Sequence, residues 1–260
     1  MRPVLVSSMP EPVFELDNVT VRYGAFTALS KVSLRIEAGE RVALIGPSGA
    51  GKSTLLSLLN GSLAPTEGEV RLLGQDPTRL STRALRRLQR QIGTVYQQFH
   101  LVPNLSVIHN VNAGHLGRWS LLQAVVSLIV PLERSRAARA LAEVGIADKL
   151  YARTDTLSGG QQQRVAIARV LVQDPVAILA DEPISSVDPE RSREIMTLLR
   201  ELCDRFDKTL VVSLHAIEYA YSHCERMIGL RAGQVVFDLP AAQVSPQMVE
   251  ALYRIRDVDV

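Results

Sequence analysis

Little in this chain could hold a fold together from outside its own core. Two cysteines, Cys203 and Cys224, stand in 260 residues at a spacing that suits neither a disulfide framework nor a zinc ribbon. They are expected to be buried, inert thiols in a reducing compartment. Charge of one sign is also lacking: 29 basic residues against 27 acidic ones leave a formal +2, too little to argue for a nucleic-acid partner. The arginines that do gather, at 83, 86, 87 and 90 and again at 134, 136 and 139, read as solvated helix faces. No long apolar stretch is present. The longest, Leu121–Val130, is interrupted by Gln123 and Ser127 and falls well short of the roughly 20 residues a membrane span needs. Arg2 is followed by only a few apolar residues, so no secretory signal is expected. Internal repeats and low-complexity segments are missing too.

What remains is a 47% hydrophobic, 22% charged composition, ample for a sizeable core. Residues 1–12 hold three prolines and little pattern, and read as a loose arm. From Val13 to Ile36 the sequence is β-like, with FELDNVTVRY and VSLRI around Gly24. Arg41–Ile45 predicts a short buried strand, followed by a glycine-rich turn and a helix over Lys52–Asn60. Leu, Arg, Ala and Gln at helical spacing then dominate Thr82–Val144, interrupted by a strand at Ile92–Tyr96. Val165, Ala168, Leu171 and Val172 mark one side of a helix after Gly159. Strands are predicted at Val176–Ala180 and Thr209–Leu214, and helices from Pro189 to Phe206 and from Pro246 to Tyr253. The pattern is that of an α/β core carrying a helical insertion.

Three short stretches carry chemistry. Gly46-Pro47-Ser48-Gly49-Ala50-Gly51-Lys52-Ser53-Thr54 has the G-x-x-x-x-G-K-[ST] spacing and the strand–loop–helix setting of a phosphate-binding loop. Its glycines let backbone N–H groups curl around phosphate oxygens, and the helix start adds a partial positive charge. Lys52 can reach the β- and γ-phosphates, and Ser53 can place its hydroxyl on Mg²⁺. Asp181 ends an apolar strand, which suits a ligand of Mg²⁺-bound water; Glu182 beside it can orient or deprotonate an attacking water. That pair favours hydrolysis over phosphoryl transfer to an acceptor hydroxyl. The third stretch, Leu157-Ser158-Gly159-Gly160-Gln161, opens a helix with serine and glycines. It reads as an anion site or, equally well when taken alone, as an ordinary helix cap.

The succession GPSGAGKST, VYQQ, LSGGQQQR, ILADEP, SSVD and SLH resembles the ABC-transporter ATPases from about Phe14 to about Tyr253. That resemblance implies a P-loop NTPase (RecA-like) core, an antiparallel β subdomain and a helical subdomain at about 98–172 within a nucleotide-binding domain over 13–260. It also implies two subunits head to tail, each ATP lying between one subunit's GPSGAGKST and the other's LSGGQ. By the same resemblance Tyr23 stacks on adenine. Gln97, selected over Gln98 by the family's Gln-x-Phe-x-Leu pattern, touches Mg²⁺ and the attacking water and senses the permease. Ser186 and Asp188 carry signals across the dimer, and His215 holds the γ-phosphate. The other histidines (His100, His109, His115 and His223) fall in no motif and read as structural or surface residues. Ile184, Val187 and Ala216 depart from the common pattern, and none of them replaces a phosphate-contacting group.

The runs SLHAIEYAYSHCERMIGLRAGQVVFD and VYQQFHLVPNLSVIHNVNAG, with the insertion LGRWSLLQ, resemble the phosphonate-importer branch, whose members serve uptake of phosphonates, phosphite or hypophosphite. The implied machine uses ATP and Mg²⁺, and it pairs this subunit with a second copy, an integral-membrane permease and an extracytoplasmic substrate-binding protein. The subunit would then sit peripherally on the cytoplasmic face of the membrane. Competing readings are another importer's ATPase (for phosphate or an amino acid), a non-transport ABC ATPase of DNA repair or translation, a binding-only subunit and an exporter. The intact Lys52, Asp181, Glu182 and His215 speak against the binding-only subunit.

Overall fold

The computed structural model describes residues 12–185 and 188–254; the expected arm, Pro12 aside, and Ser186 lie outside them. Along the chain the elements are β1 (Phe14–Tyr23), β2 (Phe26–Ile36), β3 (Arg41–Ile45), α1 (Lys52–Leu59), β4 (Glu67–Leu72), α2 (Thr82–Gln89) and β5 (Ile92–Val95). Then come α3 (Val107–Asn112), α4 (Leu121–Ile129), α5 (Arg134–Glu143), α6 (Gly159–Gln173), β6 (Ala177–Asp181), α7 (Pro189–Phe206) and β7 (Thr209–Leu214). The chain closes with α8 (Ile217–His223), β8 (Arg226–Arg231), β9 (Gln234–Pro240) and α9 (Pro246–Tyr253).

Two sheets result. An antiparallel one has the order β2-β1-β4, and a six-stranded one has the order β5-β6-β7-β3-β8-β9. In the second, β5, β6, β7, β3 and β8 pair in parallel and β9 closes the edge antiparallel. Strands covered on both faces read as continuous apolar runs, which is why RVALI, AILAD and TLVVSL look alike. The period-2 pleat then divides their side chains between two cores. Val42, Leu44, Leu179 and Val211 join the antiparallel sheet and α1. Ala43, Ile45, Ala180 and Val212 join α3, α5, α6 and α7.

The helical stretch therefore shares one continuous apolar core with a face of the central sheet. Cys203 and Cys224 are buried there, and desolvation pushes both thiols up to about 12, the inert state expected of them. Among the described residues no helix is long and apolar enough to cross a membrane.

Candidate functional site

Parallel strands deliver their following loops to one edge, so β5, β6, β7 and β3 bring Gln97, Asp181 with Glu182, His215 and the glycine loop to the same rim. Backbone conformation decides which residues can form that loop. Gly46 has φ +147°, and a Cβ there would lie 2.0 Å from the Leu230 carbonyl oxygen. Gly51, at φ +104°, would place a Cβ 2.8 Å from the Ala28 carbonyl oxygen. Neither position admits a side chain. The Gly46 N–H donates to the Tyr253 hydroxyl at 3.1 Å, fastening α9 to the loop.

Lys52 is buried, and its ammonium donates to the carbonyls of Gly46 at 2.7 Å and Pro47 at 3.1 Å. Burial holds its pKa below the usual lysine range, opposed by the charges of Glu182 and Asp181. At the start of α1, the Ser53 hydroxyl donates to Asp181 Oδ1 at 3.3 Å. Ser213, fully buried in β7, donates to the same oxygen at 2.7 Å and accepts the Glu182 N–H at 2.8 Å. Glu182 stands at φ +47°, a conformation an L-residue adopts at some cost. Ser185 helps to hold it there, donating its N–H and hydroxyl to the Glu182 carbonyl at 3.2 and 3.0 Å. His215 Nε2 lies 2.6 Å from Glu182 Oε1; an ionised carboxylate only accepts, so the ring nitrogen carries the proton.

Phosphate loop, Asp181, Glu182 and His215 are thus joined into one set by hydrogen bonds and charge. Ser53 and Asp181 supply hard oxygen donors side by side, a set that suits Mg²⁺ completed by phosphate and water oxygens. No group of three or more His, Cys, Asp or Glu side chains among the described residues could cage a metal by itself.

The other expected residues stand apart. Tyr23 is 53% exposed at the tip of the β1–β2 hairpin, facing Phe26. Leu157 is buried in the main core, and only Ser158–Gln161 reach the surface. Ser158 caps α6: its hydroxyl accepts the Gln161 N–H at 3.3 Å while the Gln161 side chain accepts the Ser158 N–H at 3.0 Å. A Cβ on Gly159 would meet nothing within 4 Å, and one on Gly160 would meet only Arg191 Cδ at 3.8 Å, so the chain's own packing does not demand these glycines. Gly159 and Gly160 share a cleft with Gln97 and Asp188, which caps α7 through the Arg191 N–H at 3.1 Å. That cleft contains no residue of 46–54.

Four further residues shape the site. Ser213 and Gln163 lie within SLH and LSGGQQQR, where no role falls to them from sequence, and Arg169 and Tyr253 lie in no motif. The Arg169 guanidinium donates to the Phe99 and His100 carbonyls at 2.8 and 2.7 Å, fixing two residues of positive φ just after Gln97. Gln163, fully buried, donates to the Pro183 carbonyl just after Glu182. One helix therefore fixes both loops.

Removing the Ser213 hydroxyl leaves the Glu182 N–H without an acceptor, so Ser213→Ala is expected to cost about 1–3 kcal/mol in a denaturant titration. Unchanged stability would show that solvent replaces the hydroxyl.

Comparison with known proteins agrees with this architecture. The ABC transporter family matches residues 29–185, more than half of the chain. The phosphonates import ATP-binding protein PhnC of Pseudomonas putida is 48% identical over 92% of this chain and 88% of its own length. Its counterpart from Anaeromyxobacter dehalogenans is 50% identical over 95% of this chain, which spans 49%, about half, of that relative's length. Among solved structures, cbiO1 from Clostridium perfringens, part of the cbiONQ ABC transporter complex, superposes with a TM-score of 0.79 at 28% identity, covering 93% of this chain and 94% of its own. The dimeric bacterial ABC transporter cassette MJ0796 superposes at 0.76 with 36% identity, covering 88% and 98%. With the phosphate loop, the acidic pair and LSGGQ each placed as described, the chain belongs to the ABC transporter family as an ATP-binding cassette.

Proposed function

We propose that this cassette hydrolyses ATP to drive import of phosphonates or related reduced-phosphorus oxyanions through a separate permease. The hydrogen-bonded set Ser53–Asp181–Ser213–Glu182–His215 beneath the phosphate loop carries the hydrolytic half of this reading. The names of the relatives at 48% and 50% identity support the substrate half.

The chemistry follows from the positions. Backbone N–H groups of Ser48, Gly49, Gly51 and Lys52, with the Lys52 ammonium, neutralise the β- and γ-phosphates, where charge builds as the terminal bond breaks. Glu182 accepts a proton from the attacking water, and His215, already bonded to Glu182, reaches the γ-phosphate. Ser53 and Asp181 would hold Mg²⁺, with Gln97 as a further oxygen donor, and the ion supplies charge neutralisation when bound. Tyr23 stacks on the adenine ring.

Ser158–Gln161 act on the nucleotide of a second copy, packed head to tail, and Asp188 carries signals across that interface. The glycines of LSGGQ, unneeded by the chain's own packing, suit the approach of another molecule's phosphates. In this reading residues 13–260 form one nucleotide-binding unit, with the helical portion at about 98–172 contacting the permease near Gln97. A substrate-binding protein outside the membrane feeds that permease, and the cassette is peripheral on the cytoplasmic face.

Reconstitution with the cognate permease and binding protein tests the proposal. ATPase activity is expected to rise with phosphonate, phosphite or hypophosphite. Stimulation by a sugar or an amino acid alone would assign the cassette to a different importer.

A further inference from the structure

The segment between α3 and α5 is built inside out. In α4 the side chain the protein covers is Ser127, whose hydroxyl donates to the Ala124 carbonyl at 2.7 Å. Leu121, Leu122, Val125, Leu128 and Ile129 all face solvent, Leu121 at 83% and Ile129 at 82% exposure. At 100° per residue these five fill a continuous apolar arc of about 120°. The helix is well formed despite this exposure, because Ser120 and Gln123 close a reciprocal capping box at its start. Apolar patches of this kind on an otherwise polar surface mark a contact with something else.

The surroundings say what that is. Residues 116–139 contain four arginines and a single acid, Glu133. Arg118 precedes α4, and Arg136 and Arg139 follow it, yet all three line one cleft, so both ends of the excursion return to the same basic place. Arg118 and Arg139 donate there to backbone carbonyls, of Gln173 at 2.6 Å and Ser135 at 3.3 Å. The carboxylates of that cleft are paired, Glu143 with Arg205 and Asp174 with Lys208, which lines it too, while Arg136 pairs at the surface with Glu133 at 3.4 Å. Half-buried Trp119, stacked on His115, stands at the junction. An exposed apolar helix flanked along the chain by a tryptophan and by arginines on both sides complements one kind of surface, an apolar interior bordered by phosphates.

We propose that α4 lies in the interfacial layer of an anionic bilayer, its apolar arc among the upper acyl chains and Arg118, Arg136 and Arg139 against lipid phosphates. This contact is separate from docking on a permease, and the isolated protein makes it. The inference does not rest on the transported compound.

Flotation of the full chain with permease-free vesicles tests it. Binding to vesicles containing phosphatidylglycerol is expected to exceed binding to phosphatidylcholine vesicles and to weaken as salt rises. Leu122→Gln with Ile129→Gln should lower the affinity at least about a hundredfold, from the apolar area withheld from lipid. Arg136→Gln with Arg139→Gln should lower it about thirtyfold on anionic vesicles, and far less on neutral ones. All four positions are exposed, so melting temperatures and lipid-free ATP hydrolysis should stay at the wild-type level, which separates failure of this contact from failure of the ATPase reading. The proposal is overturned if wild type does not float with anionic vesicles, or if the Leu122 and Ile129 double variant floats equally well. It is also overturned if light scattering shows that the double variant abolishes self-association of wild type; a second copy would then be the occupant.

Discussion

Replacing Glu182 with glutamine is expected to slow ATP hydrolysis by about a hundredfold to ten-thousandfold, the range for losing a general base, while nucleotide affinity stays near wild type. The substitution preserves the side chain's size and its hydrogen-bond reach to His215, so the loop at positive φ and its Ser213 and Ser185 contacts persist. What disappears is the capacity to take a proton from water. Single-turnover hydrolysis with an independent binding titration separates the two effects. Equal turnover by variant and wild type would remove Glu182 from the reaction and leave the carboxylate a positioning role only.

A mixture of two inactive variants is expected to regain activity. Lys52→Ala damages the phosphate loop, and Gly160→Asp places a carboxylate where, in the proposed head-to-tail dimer, LSGGQ would face a second copy's nucleotide. The chain's own structure accommodates the second change, since a Cβ on Gly160 would meet only Arg191 Cδ at 3.8 Å. Aspartate is also favourable in the first turn of a helix. In a two-fold dimer the interface residues of each copy act on the other. A mixed dimer then concentrates both lesions in one site and leaves the other intact. Equal mixing should restore roughly a quarter of wild-type hydrolysis if the two sites work independently. A mixture as inactive as its components would mean that the two sites fire only together, or that LSGGQ serves its own chain's nucleotide.

Sequence and structure coincide where a residue's role depends on its neighbours along the chain. The phosphate loop is legible because glycine is required by local backbone geometry, as Gly46 and Gly51 show. The buried parallel strands are legible from their unbroken apolar runs. Strand β4 was missed: in EGEVRL only Val70 and Leu72 are buried, and the remaining residues look like a charged turn. It is a strand because β1 offers it a free edge, which no local pattern encodes. Ser213, Gln163 and Arg169 act across 20 to 70 residues of sequence, through a hydroxyl, an amide and a guanidinium whose partners no local pattern reveals. The run Leu121–Val130 was visible as too short to span a bilayer, but its exposure follows from Ser127 turning inward, which only packing decides.

The order of the central sheet has a consequence for how the protein is made. Strand β3, which ends in the phosphate loop, comes early in the chain, yet its hydrogen-bonded neighbours β7 and β8 are among the last strands. On the ribosome the loop emerges with neither neighbour available; the Leu230 contact that shapes Gly46 arrives with β8, and the Tyr253 contact later still. Nascent chains therefore carry the motif without the site. The site is assembled only once β7, β8 and α9 have been made, so chains that stop short of them lack the contacts that shape the phosphate loop.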